Sequence, residues 1–146
     1  MDKRVAKEPQ AVISELTTRA RQNQDNDSMV AAAELSLLRA RQLRQQSPEQ
    51  AIAMYLSTAA LAHDYLLSDE AFRSFNSLKP SYRFMAEVYN RALSRLVEIN
   101  RQLKEPWEEG TRATVMGTTY DLSVSKSDTN TWNPKTFDAL YPANRL

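Results

Sequence analysis

The chain has 146 residues, the size of one ordinary domain, and its 19 basic and 18 acidic side chains leave a formal charge of +1. So balanced a composition excludes the broad positive field that nonspecific binding to nucleic acid or anionic lipid requires. The chain has no cysteine, which also excludes disulfides, thiolate nucleophiles and thiolate metal ligands.

The N-terminus, residues 1–9, is charged and lacks the apolar run of a secretory signal. The longest apolar stretches, such as Met29–Ala33, are far shorter than the roughly 18 residues that cross a bilayer. We therefore expect a soluble chain without a membrane span. Nothing in the sequence indicates a compartment, so the localisation stays open.

Two helices are predicted first. The first opens near Pro9, because proline suits the first turn of a helix, and it ends in the polar residues 23–27. The second is predicted to begin with Asp27 or Ser28 as its N-cap and to continue to about Gln45. Apolar residues follow one face of each helix, so both are expected to pack against a core.

The third helix has the clearest start signal in the sequence. Ser47 suits the N-cap, Pro48 the first helical position, and Gln50 the capping-box position. From there to Leu67 the helix is apolar around most of its surface, which predicts a place in the middle of a bundle. A short turn or helical piece is expected over residues 68–75, and a fourth long helix from Pro80 or Ser81 to Leu103.

The pattern changes at Glu105-Pro106-Trp107. The only two glycines, Gly110 and Gly117, lie beyond this point. Apolar and polar residues alternate on either side of residues 117–119, which predicts a small β-hairpin with those residues at its turn. We therefore expect a helical bundle domain over residues 1–104 and a β-hairpin and linker tail over residues 105–146 that leads towards a further domain.

The predicted fold class is mainly α: a bundle of four long antiparallel helices, arranged as two helical hairpins, followed by a short β-hairpin tail. Tyr55 and Tyr89 are 34 residues apart, which is the tetratricopeptide period. The glycines and the repeat-end proline of that repeat are missing. The spacing therefore indicates hairpin packing in the style of such repeats.

No catalytic, cofactor or metal site is predicted. A serine hydrolase needs a Gly-x-Ser-x-Gly elbow with a histidine base, and neither glycine is placed for one. The single histidine, His63, falls in the most apolar helix, so we expect a partly buried residue. Its neighbour Asp64 is expected to point in a different direction. One histidine and no cysteine cannot supply a zinc site, and residues 25–27 lack the EF-hand pattern.

The arginines and the aromatic residues each allow a binding hypothesis and a structural one. An arginine stripe would form if the second and fourth helices were adjacent, but interleaved glutamates favour a solvated face over a nucleic-acid site. Tyrosines at helical spacing fit a core, or a groove between hairpins. The candidates for an interaction surface are Tyr55, Tyr65, Tyr89, Trp107 and Trp132.

The third and fourth helices also carry a resemblance. The segments that carry it are Ala51–Ala60, His63–Leu67, Tyr82–Arg83 and Val88–Leu93, with Ala31–Leu35, Trp132 and Phe137–Ala143 outside them. These segments resemble the helical N-terminal region of large bacterial α/β-hydrolase proteins of the serine esterase or lipase type. The resemblance implies a catalytic domain after residue 146. Many proteins of this group look exported or lipid-anchored, whereas this sequence shows no leader, so either its start is truncated or it departs from them. It transfers no catalytic residue to this chain.

Three functions follow as expectations. The first is a non-catalytic helical scaffold or cap for a hydrolase domain, which lies in the same polypeptide or is encoded next to it. The second is a free-standing, tetratricopeptide-like module that binds another protein in a groove between helix pairs. The third, an enzyme in its own right, predicts ester hydrolysis by the purified chain, and we expect none.

Overall fold

The computed structural model describes residues 9–23, 25–67, 79–108, 110–115 and 117–121. Within these ranges the chain forms four helices and then a two-stranded antiparallel sheet. The elements are α1 (Pro9–Asn23), α2 (Asn26–Gln46), α3 (Pro48–Leu66), α4 (Pro80–Asn100), β1 (Arg112–Val115) and β2 (Thr118–Asp121). The predicted class, mainly α with a short β-hairpin, is confirmed. The short turn or helical piece predicted over residues 68–75 lies outside the described residues.

Successive helices alternate in direction. The end of α3 meets the start of α4, where the Tyr65 hydroxyl donates to Ser81 Oγ at 2.8 Å. The ends of α2 and α4 meet in the ion pair between Arg44 and Glu98. α2 and α4 therefore run the same way and α3 runs against both, as predicted.

α2 begins earlier than predicted. Its N-cap is Asp25, whose Oδ1 accepts from the backbone N–H groups of Asp27 at 3.2 Å and Ser28 at 3.3 Å. The other oxygen of Asp25 accepts from the Ser28 hydroxyl at 2.5 Å. Asp27 and Ser28, which were predicted as N-caps, instead donate their backbone N–H groups to Asp25. The hydrogen bond from the Ser28 side chain is the largest of the effects that lower the pKa of Asp25.

α3 starts as predicted but is capped differently. Ser47 is the N-cap and Pro48 opens the helix, yet the Ser47 side chain makes no capping hydrogen bond. The backbone explains the difference, since Ser47 also ends α2 and its N–H donates to Leu43 O at 2.8 Å. One residue thus closes one helix and opens the next, and the predicted capping box does not form.

The core surrounds α3. This helix packs against α2 on one side and α4 on the other, and it is buried on most of its surface, as predicted. α4 adds an apolar stripe of Met85, Val88, Ala92, Leu96 and Ile99. It ends at Asn100 instead of Leu103, because the following N–H groups bond three residues back and tighten the last turn.

The hairpin is tighter than predicted. β1 pairs with β2 in the register Arg112↔Asp121 to Val115↔Thr118, so two residues join the strands. Gly117 occupies the second turn position with φ +78°, a conformation that glycine adopts without strain. Thr118 and Thr119, predicted in the turn, belong to β2. Leu122 and Val124, predicted in the second strand, lie outside the described residues.

The described part of the predicted tail packs on the helices. Ala113 and Val115 are buried and β1 contacts α3, while Trp107 packs against the helical core. The described residues between 105 and 121 therefore pack with the bundle as one body. A separate domain boundary at residue 105 stays a prediction. In the part of the chain that the structure describes, no helix is long and apolar enough to cross a membrane.

Candidate functional site

Two of the five residues predicted for an interaction surface lie in the core. Tyr55 is 1% exposed and Tyr65 is 7% exposed, and both belong to the buried cluster around α3. Their side chains face the neighbouring helices because α3 is covered on both sides. Their burial fits the core alternative for tyrosines at helical spacing, and a contact of either ring with a partner stays a prediction.

Tyr89 lies at the edge of the core with His63 beside it. The two ring centroids are 6.1 Å apart and the rings are tilted by 38°. Tyr89 is half-buried, while the His63 side chain is 53% exposed. His63 is therefore more exposed than the partly buried residue that was expected, although its ring is covered on the Tyr89 side. His63 projects from the outer side of α3, which the flanking helices leave open.

The expectation that His63 and Asp64 point apart is wrong, since His63 Nδ1 lies 3.8 Å from Asp64 Oδ1. Asp64 in turn lies 4.0 Å from Arg21 Nη2 at the end of α1. Leu67, one turn after His63, is 55% exposed. We call the surface formed by His63, Leu67 and Tyr89 the His63 edge, and it includes one of the two large apolar side chains that are exposed among the described residues.

Trp107 is fastened by its backbone. Its N–H donates to Asn100 Oδ1 at 2.7 Å, and Asn100 Nδ2 donates back to Trp107 O at 3.0 Å. The ring is half-buried against the core. Trp107 thus anchors the chain that leaves α4. Trp132, the fifth predicted residue, lies outside the described residues.

A second contact holds the far end of the hairpin. Arg21 Nη1 donates to Thr118 Oγ1 at 3.0 Å, where β2 begins. The hairpin therefore lies along α3, between the hydrogen bonds that join Asn100 to Trp107 and the hydrogen bond from Arg21 to Thr118. Its outward face carries the exposed pairs Arg112–Asp121, at 2.7 Å, and Thr114–Thr119, at 3.1 Å.

An arginine stripe was predicted along α2 and α4 if these helices were adjacent. Ion pairs with glutamates interrupt that stripe. Arg44 Nη2 donates to Glu98 Oε1 at 2.7 Å, and Arg95 donates to the other oxygen of Glu98. Arg91 pairs with Glu87 one turn earlier. These glutamates neutralise much of the stripe, which fits the solvated face expected from the interleaved charges.

Glu98 links stability to pH. Burial alone would raise its pKa, but the hydrogen bond and charge of Arg95, and then those of Arg44, hold the pKa below the ordinary 4.5. Because the pKa of Glu98 is lowered, its interactions with Arg95 and Arg44 stabilise the folded state fully above pH 4.5. That stabilisation is lost as the pH falls through the folded-state pKa.

Glu98→Gln is therefore expected to lower the free energy of unfolding by about 0.5–1 kcal/mol at pH 7, the range of a partly exposed ion pair. The difference from the wild type should shrink at pH 3, because the stabilisation is lost as the pH falls through the lowered pKa of Glu98. Urea denaturation at both pH values measures this. Glu34→Gln, an exposed change on α2, is the control. An equal loss at both pH values would contradict the electrostatic explanation.

Metal ligands are sparse among the described residues. None of their histidine, aspartate and glutamate side chains form a group of three that could hold a metal ion. The sole histidine of the chain sits beside one carboxylate, with a tyrosine ring on its other side.

Sequence reasoning missed the two contacts that hold the hairpin. Asn100 ends α4 and precedes a proline by six positions, but nothing in that spacing shows that its amide turns back onto Trp107. Arg21 and Thr118 are 97 residues apart, and no local pattern joins them.

Comparison with known proteins found no match. No protein-family model, no curated protein and no solved structure is similar to this chain.

Proposed function

We propose that this chain is a non-catalytic helical scaffold or cap that packs against an α/β-hydrolase domain, in the same polypeptide or encoded beside it. The observation that carries the proposal is that the hairpin packs against the helical bundle. Two hydrogen bonds join Trp107 to Asn100, and Val115 is buried. These contacts hold the hairpin, and so the end of β2, in one position on the bundle. A fixed point of departure suits a base on which a following domain is mounted.

The resemblance supports the same proposal. The segments that resemble the N-terminal region of α/β-hydrolase proteins form α3 and much of α4, the centre of the bundle. The segment Phe137–Ala143 resembles the stretch that leads into the hydrolase domain of those proteins. On this proposal the nucleophile, its histidine and its acid are all supplied by the hydrolase domain, and this chain supports or covers it.

The coding DNA tests the link to a hydrolase. We expect the reading frame to continue past codon 146, or an adjacent frame to begin, into a segment with a Gly-x-Ser-x-Gly elbow. A stop at codon 146 with no neighbouring hydrolase frame would contradict the proposal in this form.

The absence of activity is tested on the chain itself. The purified protein should hydrolyse a p-nitrophenyl ester no faster than buffer, and His63→Ala should behave identically. Hydrolysis that His63→Ala abolishes would make the chain an enzyme with a histidine base. Hydrolysis that survives His63→Ala would require a different nucleophile and would overturn the interpretation of the site.

A second function, a tetratricopeptide-like interaction module, has its own support in the His63 edge. Leu67 is 55% exposed one turn after His63, whose ring lies against the half-buried Tyr89, and this combination is suited to contact with another protein. If the module is free-standing, Leu67→Asp and Tyr89→Ala should weaken binding of a defined partner at least tenfold. The exposed change Arg83→Gln should leave binding unchanged. A chain that binds only a hydrolase domain would exclude this function.

A further inference from the structure

The carboxylate of Asp64 lies between a histidine and an arginine near the end of α3. Its Oδ1 is 3.8 Å from His63 Nδ1, and its Oδ2 is 4.0 Å from Arg21 Nη2 at the end of α1. Both distances are longer than a hydrogen bond between nitrogen and oxygen. The carboxylate can therefore shorten its contact with one partner only by moving away from the other.

Arg21 also holds the tip of the hairpin. Its Nη1 donates to Oγ1 of Thr118, the first residue of β2, at 3.0 Å. The guanidinium group is planar and rigid, so a contact at Nη2 also sets the direction in which Nη1 points. The Arg21 side chain is 40% exposed, and without Asp64 it is free to turn towards water. Asp64 thus helps to hold Thr118 through Arg21.

The charge of His63 decides how Asp64 is shared. A neutral imidazole attracts the carboxylate weakly, so Asp64 then serves Arg21. A charged imidazole competes with Arg21 for the same carboxylate and repels the guanidinium. Histidine changes its charge between pH 5 and 8, and the chain has one histidine.

The facing groups leave Asp64 and Arg21 as the charges that act on His63. From α4, the Tyr89 ring lies 6.1 Å from the imidazole. The residues one turn from Tyr89 on α4 are apolar: Met85, Ala86, Ala92 and Leu93. The residues one turn from His63 on α3 are apolar as well: Ala59, Ala60, Leu66 and Leu67.

We propose that His63, Asp64 and Arg21 form a pH-sensitive switch that loosens the tip of the hairpin when His63 becomes charged. With neutral His63, Asp64 orients Arg21, and Arg21 holds Thr118. With charged His63, Asp64 moves to the Nδ1–H group and Arg21 turns away from Thr118. The contact at the tip is therefore kept at higher pH and lost as the pH falls. Val115 stays buried, so the change is confined to the tip. The switch does not depend on the proposed hydrolase partner.

The experiment is an NMR titration of the isotope-labelled full chain from pH 7.5 to pH 5.5 at constant ionic strength. The ring signals of His63 report its charge, and the Nε–H of Arg21 and the backbone N–H of Thr118 report the contact. All three are expected to change with one midpoint. Solvent exchange of the Thr118 N–H, divided by its intrinsic rate at each pH, should rise about two- to fivefold, the range of an exposed ion pair.

Two substitutions separate the roles of the histidine and the carboxylate. His63→Gln should remove the step at Thr118 and keep exchange at its neutral-pH level throughout. Asp64→Asn should raise exchange of Thr118 to the acid level at every pH, although the His63 ring still titrates. Glu34→Gln removes a carboxylate from an exposed position on α2 and should keep the wild-type step. All of these changes lie on exposed side chains, so the fold should be retained.

The opposite results would overturn the proposal. A Thr118 signal that stays constant while the His63 ring titrates would show that the two are not coupled. A step that persists in His63→Gln would belong to another group, and one that persists in Asp64→Asn would not pass through the shared carboxylate. Slower exchange at pH 5.5 than at pH 7.5 would mean that charged His63 tightens the contact.

Discussion

Leu61→Ala is expected to lower the free energy of unfolding by about 3 kcal/mol, within the range measured for buried leucines. Leu61 is 0% exposed on α3, the helix that the rest of the bundle surrounds. Its removal leaves a cavity that cannot collapse, because the helices on both sides of α3 are held by their own contacts. The melting temperature should fall by roughly 10 °C for a chain of this size.

The control uses the same substitution at another position. Leu38 on α2 is 45% exposed, so Leu38→Ala should change stability by less than about 0.5 kcal/mol. Thermal and urea denaturation monitored by circular dichroism compare the two variants. If both lost the same stability, α3 would not be the centre of the core.

Val115→Asp is expected to release the hairpin from the bundle while the helices stay folded. Val115 is 7% exposed in β1, which packs against α3. Burying an unpaired carboxylate there would cost roughly 3 kcal/mol or more. Detaching the hairpin avoids that cost, since the helical core remains closed by α2 and α4. Hydrogen exchange should show lost protection in residues 112–121 and retained protection in the helices.

A substitution at the neighbouring residue Thr114 separates the effect of adding a charge from the effect of burying it. Thr114 is exposed on the outward face of the same strand, where it contacts Thr119. Thr114→Asp introduces the same charge one residue away and should leave the hairpin docked. Loss of helix protection in Val115→Asp would mean that the hairpin is integral to the core. Equal exchange in the two variants would mean that the hairpin is not docked through this face.

Much of the fold follows from local signals. Pro48 and Pro80 mark helix starts because proline suits the first turn, and the apolar surface of α3 predicts its central position. The caps are less predictable, since several neighbouring polar residues can serve. Residues 25–28 contain two aspartates, an asparagine and a serine, and only the path of the chain selects Asp25.

The candidate site was harder to predict because it depends on which face of each helix is covered. Helical spacing alone does not distinguish Tyr55, in the core, from Tyr89, at its edge. His63 lies in the most apolar helix and is nevertheless exposed, since α2 and α4 leave that side of α3 open. The pairing of Arg44 with Glu98 joins two helices and becomes visible only when they are assembled.

The scaffold function is tested most directly by mixing the purified chain with the hydrolase domain from the same or the adjacent reading frame. Size-exclusion chromatography with light scattering then measures the mass of the products. We predict a one-to-one complex that Thr114→Asp preserves and that Val115→Asp, with its hairpin released, weakens at least tenfold. Two separate peaks at micromolar concentration, with a hydrolase domain that is stable and fully active alone, would contradict the proposed function.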